Sequence, residues 1–107
     1  MRIRPVPQPD GLIGVLVDPS ASEAERDDAA TDLAKYDEPK AEEALIQVAS
    51  KSEISEMLAD TCGESLGTIW ARQGRFNRQM LDKLHPVARK MALRVIETQR
   101  PDLITPV

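Results

Sequence analysis

The chain has one cysteine, Cys62, and one histidine, His85, the two side chains most suited to nucleophilic catalysis. A thiol nucleophile needs a base within hydrogen-bonding reach. Cys62 lies in a helical apolar stripe, where a cysteine usually acts as a small buried hydrophobic residue. His85 precedes Pro86 at a predicted helix break, a position typical of a capping or turn residue. The sequence therefore predicts structural roles for both residues and no catalytic site.

Metal and phosphate sites are also poorly represented. One histidine and one cysteine are too few for a zinc site, and the acidic pairs lack the spacing and glycine of a calcium loop. Gly63 and Gly67 lie within a helical stripe and not in a phosphate-binding loop. Each glycine there costs about 1 kcal/mol relative to alanine, so we expect a neighbouring helix to pack closely against them. We expect no cofactor, no metal ion and no enzymatic activity.

Carboxylates are concentrated in the first half of the chain. Neighbouring residues on a helix point about 100° apart, so adjacent acidic residues are poorly placed to act as general acid and base on one substrate. An acidic surface instead suits a basic protein partner, with fast and salt-sensitive association. We predict a partner-binding surface made of Asp27, Asp28, Asp32, Asp37, Glu38, Glu42 and Glu43.

The second half of the chain is basic. Residues 1–60 hold six Lys/Arg and fourteen Asp/Glu, whereas residues 61–107 hold eight and four, giving charges of −8 and +4. Nucleic-acid binding is the alternative prediction, with Trp70 or Phe76 stacking on a base. The overall charge of −4 and the pI near 5.0 make it the second choice. Both charged regions can also be read as ordinary solvated helix faces. The cations of the alternative are Arg72, Arg75, Arg78, Lys83, Arg89, Lys90 and Arg94.

Length and composition fit one domain, residues 1–107, with a Pro-rich extended arm at 1–9 and a loose tail at 101–107. Aromatic residues make up only 3% of the chain, so alanine and branched aliphatic residues must fill the core. The lone cysteine fits a reducing compartment, and the apolar runs are too short for a membrane span or a signal peptide. We expect a cytoplasmic protein that has no membrane partner.

The apolar spacing predicts an all-α fold of about five helices, because it repeats every three to four residues and nowhere alternates as in a strand. Asp37, Asn77 and Gly74 are predicted to cap helix ends. A short helix through Val17, capped by Asp10, is predicted to precede five others. These are Ser22–Lys35, Lys40–Ser50, a helix from Ser52 or Glu53 to Arg72 or Gln73, a short one carrying Met80 to Leu84, and one from Val87 to about Gln99.

A weak internal repeat follows this pattern. Residues 28–34 and 61–67 share small residues at the second, third and seventh places and leucine at the sixth, at an offset of 33 residues. A repeat of that length built from two helices is typical of an α-solenoid. The string ERDDAATDLAKYDEPKAEEALIQVA resembles a HEAT repeat of the short bacterial type. The resemblance is clearest over about residues 26–50 and departs at ARQGRFNRQ, which replaces the short Asp-x-Pro link.

The HEAT resemblance implies antiparallel helical hairpins stacked as a short solenoid that binds protein or, less often, nucleic acid. A plain five-helix bundle is the alternative. In size, charge and helical style the chain is also similar to immunity proteins, which implies a basic toxin as the partner. Leu93 and Ile96 widen the apolar stripe of the last helix, so self-association is a further alternative.

Overall fold

The computed structural model describes residues 7–104, and within this range all regular secondary structure is helical. Six α-helices are followed by one short 3₁₀ helix, which confirms the predicted all-α class. The elements are α1 (Asp10–Val17), α2 (Glu23–Leu33), α3 (Pro39–Ala49), α4 (Glu56–Gln73), α5 (Arg78–Lys83), α6 (Pro86–Gln99) and the 3₁₀ helix Pro101–Leu103.

Local sequence signals explain most of the helix ends. Ser22 and Glu25 form a reciprocal capping box at the start of α2, and Ser55 caps α4 by accepting a hydrogen bond from the Leu58 amide. The predicted caps at Asn77 and Gly74 are confirmed. Gly74 ends α4 with φ of 72°, a left-handed conformation that glycine adopts without strain.

Several predicted boundaries were wrong. Asp37 does not cap α3, because Glu38 occupies the N-cap position and Pro39 the first helical turn. The helix expected from Ser52 or Glu53 begins at Glu56, where the Ser55 hydroxyl accepts a hydrogen bond from one of the free amides, that of Leu58. Asp10 is the first residue of α1, with Pro9 at the N-cap.

The two predicted terminal segments were also partly wrong. Residues 8 and 9 form a turn that leads directly into α1 and not an extended arm. Residues 101–104 are not loose, since residues 101–103 form the 3₁₀ helix and both Leu103 and Ile104 pack against the core. Residues 1–6 and 105–107 lie outside the described part of the chain.

Helix α4 is the centre of the fold and packs against α2, α3 and α6. Residues of α2 and α4 that contact each other differ in residue number by nearly the same amount along both helices. The Ser55 hydroxyl donates to Glu23, and the Ser65 hydroxyl donates to the Ala30 carbonyl at 2.7 Å, giving separations of 32 and 35 residues. In an antiparallel pair, one residue number rises as the other falls, so the difference between them would change by about two for each residue along the helix. Helices α2 and α4 therefore run in the same direction.

The same reasoning applies to α4 and α6, where the packing is most extensive. A β-carbon added at Gly63 would lie 2.3 Å from the Ala88 carbonyl oxygen, and one added at Gly67 would lie 2.8 Å from the Ala92 carbonyl oxygen. Both pairs are 25 residues apart, so α6 runs parallel to α4. This close approach confirms the predicted reason for the two mid-helix glycines. We call these four residues the glycine–alanine seam.

Helix α3 packs against α4, and α5 packs against α6. The end of α3 is joined to the start of α6 by a hydrogen bond of 2.7 Å from the His85 amide to the Ala49 carbonyl. Ile96, predicted to widen an outer apolar stripe on α6, is fully buried, and Leu93 is half-buried against the core. That stripe is therefore largely part of the core and not an open apolar face.

Candidate functional site

The two residues with nucleophilic chemistry have structural roles. Cys62 is fully buried, and this burial, with a smaller contribution from the Asp27 carboxylate, raises the pKa of its thiol to about 12. His85 Nδ1 accepts a hydrogen bond of 3.1 Å from the Val87 amide and so caps α6. Both predicted roles are confirmed. Within residues 7–104, no group of three or more His, Cys, Asp or Glu side chains is placed to hold a metal ion.

Asp37, one of the predicted partner-binding residues, is engaged within the fold. It accepts hydrogen bonds of 3.0 and 2.8 Å from Nε and Nη2 of Arg72, a residue predicted for the nucleic-acid alternative. Arg72 also donates to the carbonyls of Ala34 and Tyr36, just beyond the end of α2. This arginine therefore links the carboxyl end of α2 to α4. Its positive charge also interacts favourably with the negative end of the α2 dipole.

Two more residues of the predicted acidic surface have internal contacts, and a third is half-buried. Glu42 Oε1 accepts a hydrogen bond of 2.7 Å from the indole Nε1 of Trp70, which links α3 to α4. Asp32 forms an exposed ion pair of 3.6 Å with Lys35. Asp27 is half-buried, and its Oδ1 accepts no hydrogen bond from residues 7–104. These contacts leave fewer carboxylates available to a partner than the sequence indicated.

Asp28, Glu38 and Glu43 are the remaining members of the set, and all three are exposed. None of them forms an ion pair or a side-chain hydrogen bond within the described part of the chain. Asp28 lies on α2, Glu38 caps the start of α3 without a side-chain hydrogen bond, and Glu43 lies one turn further on. They are the carboxylates that a partner can reach without breaking an internal contact.

The cations of the nucleic-acid alternative form a basic set that is mostly free of ion pairs in the described part of the chain. Apart from Arg72, none of its members is paired with a carboxylate within residues 7–104. The proposed stacking platform is poor, however, because Trp70 is only 2% exposed. Phe76 is half-buried, and the Arg78 guanidinium lies 5.8 Å from its ring centroid. Trp70 is therefore a core residue and cannot stack on a base, as the nucleic-acid alternative required.

Glu42 and Glu43 form one rim of a groove between α3 and the loop that joins α4 to α5. The cavity measures about 210 Å³. Its apolar part is Ile46, Phe76, Met80 and an edge of Trp70, whose ring centroid is 6.4 Å from that of Phe76. Arg75 and Asn77 line the loop side. We call this cavity the α3–α5 groove. It brings residues of both predicted surfaces together, which no spacing in the sequence indicated.

A larger cavity of about 340 Å³ lies elsewhere, between the starts of α2 and α4. It is lined by side chains of both charges, with Glu23 and Glu53 beside Arg26 and Lys51. The Arg26 guanidinium Nε donates to the Leu16 carbonyl at 2.9 Å, so this cation is already used to bind α1 to α2. The balance of charge gives this cavity no clear preference for a charged ligand.

Carboxylates on α4 were missed in the sequence analysis. Glu56, Asp60 and Glu64 follow one another at steps of four residues, which places them along one side of the helix. Desolvation raises the pKa of Glu64, and the neighbouring carboxylates of Asp60 and Asp27 raise it further. The spacing of these acids was the available signal. Asp27, on α2, lies near these carboxylates only because α2 packs against α4, so the spacing could not reveal it.

Searches of protein-family models, curated proteins and solved structures found no match to the chain. No helix between residues 7 and 104 combines the length and apolar character that a membrane crossing requires.

Proposed function

We propose that this protein is a non-enzymatic binding module that docks a basic protein on the acidic side of α3. The proposal rests on the α3–α5 groove, because this groove combines an apolar floor with a carboxylate rim. Interfaces between proteins are typically built in this way, with a buried apolar centre and a polar edge. A volume of about 210 Å³ is below the roughly 300–1,000 Å³ of small-molecule pockets, and it suits an inserted side chain.

A short HEAT-like solenoid is the architecture that we propose for this module. The support is the direction of the helices, since α2, α4 and α6 run parallel and so stack as the first helices of successive repeats do. Residues 42, 43 and 46 of α3 and residues 77 and 80 at the start of α5 line the same groove, which is the arrangement expected if α3 and α5 are successive second helices. The α2–α3 and α4–α5 pairs are then the antiparallel hairpins. Solenoids commonly bind partners on surfaces formed by one set of such helices.

The proposed partner is basic because the accessible carboxylates Asp28, Glu38 and Glu43 form no ion pair with any cation of residues 7–104. A toxin that binds nucleic acid is one class with the required positive surface, and the protein would then act as its immunity protein. In that case, the carboxylates would occupy the positions that phosphates take on the toxin. We propose a cytoplasmic location, where such a partner would be met before it reached its target.

The test begins with affinity capture from nuclease-treated host lysate, followed by measurement of Kd with the purified captured protein. The acidic variant carries Asp28→Asn, Glu38→Gln and Glu43→Gln, which leave the Asp37–Arg72 and Glu42–Trp70 contacts intact. We expect Kd to rise at least tenfold, mainly through slower association, and the difference from wild type to shrink at high salt.

The matched control carries Arg89→Gln, Lys90→Gln and Arg94→Gln on α6, and should leave Kd within about twofold. A control variant that loses the partner while the acidic variant retains it would refute the proposal. Retention of labelled single- or double-stranded DNA by the wild type, and its loss in the control variant, would establish the nucleic-acid alternative instead.

A further inference from the structure

The α3–α5 groove has features that favour one kind of occupant over others. Its floor is apolar and includes an aromatic ring, Phe76, while its α3 rim carries two carboxylates, Glu42 and Glu43. A long side chain with an apolar stem and a cationic head satisfies both parts at once. An acidic or phosphorylated side chain would meet the two carboxylates with like charge.

The contacts already present in the groove favour arginine over lysine. A guanidinium is planar, donates two parallel hydrogen bonds to carboxylates and stacks on aromatic rings, whereas an ammonium is a compact and strongly hydrated charge. The chain already places one guanidinium, that of Arg78, 5.8 Å from the centroid of Phe76, so the guanidinium of a partner would lie at the carboxylate rim and only its apolar stem would contact the ring. Glu42 uses Oε1 to accept from Trp70, so its second oxygen remains for a ligand.

Resting on the proposed function, we propose that the α3–α5 groove is an anchor site for one arginine side chain of the partner. The arginine stem lies on Ile46, Phe76 and Met80, and its guanidinium bridges Glu43 and the second oxygen of Glu42. Arg75, on the opposite rim, opposes this binding because it places a like charge beside the incoming guanidinium. Arg75 thus acts as a specificity residue, because only a guanidinium that also binds the carboxylates of α3 gains enough to offset its repulsion.

Trp70 reports directly on the occupied groove. It is the only tryptophan in the chain, it lines the groove, and its indole donates to one of the carboxylates that the guanidinium would bind. The probe is the peptide acetyl-Gly-Arg-Gly-amide, titrated into the full chain at constant ionic strength while tryptophan emission is followed. Matched peptides carry lysine, or the neutral isostere citrulline, in place of arginine.

We expect a saturable change in emission with the arginine peptide, at a Kd on the order of 1 mM, which corresponds to a binding free energy of about −4 kcal/mol. The lysine peptide should bind several-fold more weakly, and the citrulline peptide should give no saturation. Glu43→Gln should weaken binding roughly three- to tenfold, whereas Arg75→Gln should strengthen it roughly two- to fivefold. Glu97→Gln, an exposed acid on α6, is the matched control and should leave Kd unchanged.

The sign of the Arg75 effect separates this inference from an anion-binding groove, for which Arg75→Gln would weaken binding. Absence of saturation with the arginine peptide, or an equal response to the lysine or citrulline peptide, would overturn the anchor. If the captured partner responds to Asp28→Asn and Glu38→Gln but not to Glu43→Gln, the anchor is refuted and the proposed protein-binding function remains. A thermal melt of each variant ensures that only folded protein is compared.

Discussion

Substitution of Gly63 by alanine tests whether the glycine–alanine seam sets the distance between α4 and α6. Two effects oppose each other at this position. Alanine is favoured over glycine within a helix by about 0.8–1.0 kcal/mol, which alone would stabilise the fold. The added β-carbon, however, would lie 2.3 Å from the Ala88 carbonyl oxygen and 2.8 Å from the Ala88 Cα.

The steric effect should prevail because the obstructing atoms belong to the backbone. Restoring ordinary contact requires a shift of roughly 1 Å between the two most extensively packed helices, since ordinary distances begin at 3.4 Å. Overpacking in a core typically costs about 1–3 kcal/mol and occasionally more. Because the obstructing atoms are backbone, we take the cost at the upper end of that range, about 3 kcal/mol; after the gain of about 1 kcal/mol in helix propensity, Gly63→Ala should lower the free energy of unfolding by roughly 2 kcal/mol. For a domain of this size, Tm should then fall by roughly 8–16 °C.

Gly14→Ala is the matched control, because Gly14 also lies within a helix but a β-carbon there meets no atom within 4 Å. It should raise the free energy of unfolding by about 0.5–1 kcal/mol. Urea and thermal unfolding followed by circular dichroism at 222 nm measure both variants. If Gly63→Ala proved as stable as the wild type, the close approach of α4 and α6 would be refuted.

Three further predictions concern α4 and its neighbours. Cys62 should react with a thiol reagent at pH 8 only as fast as the fold opens, so alkylation at the rate seen in urea would contradict its burial. Ser65→Ala should cost about 1 kcal/mol in urea unfolding through loss of the buried bond to α2, and an unchanged midpoint would argue against that bond. The folded-state pKa of Glu64 is raised, so its ionised form is disfavoured by folding and its contribution to stability rises as pH falls through that pKa. Glu64→Gln should therefore be neutral or stabilising at pH 7 and lose that advantage near pH 4, and destabilisation at pH 7 would contradict the assignment.

The sequence predicted those parts of the fold that depend on local signals. The apolar spacing gave the helical class, and Ser22, Asn77 and Gly74 marked helix ends that the structure confirms, because caps are formed by residues close in sequence. The predicted helix start near Ser52 was wrong because the sequence offers two serines as caps, and Ser55 is the one that caps α4. Ile54 continued the apolar spacing before the helix began, so periodicity alone extended the helix too far.

The candidate site was less predictable, because its residues acquire their roles from tertiary contacts. Asp37 and Arg72 were assigned to two competing surfaces, but they bind each other across 35 residues. No composition or spacing distinguishes a carboxylate that has such a partner from Glu43, which has none among residues 7–104. The α3–α5 groove likewise exists only because the turn after Gly74 brings Phe76 against α3.

The parallel course of α2, α4 and α6 has an electrostatic consequence for the molecule as a whole. Each helix carries about half a positive charge at its amino end and half a negative charge at its carboxyl end, and side-by-side dipoles of the same direction repel. The chain offsets this repulsion at the carboxyl ends, where Arg72 binds carbonyls just beyond α2 and Arg100 approaches the Ala71 carbonyl of α4. At the amino ends, Glu23 and Glu56 begin α2 and α4 with negative charge. Some acidic residues of the first half of the chain and some basic residues of the second half thus neutralise aligned helix dipoles, whatever partner the surface binds.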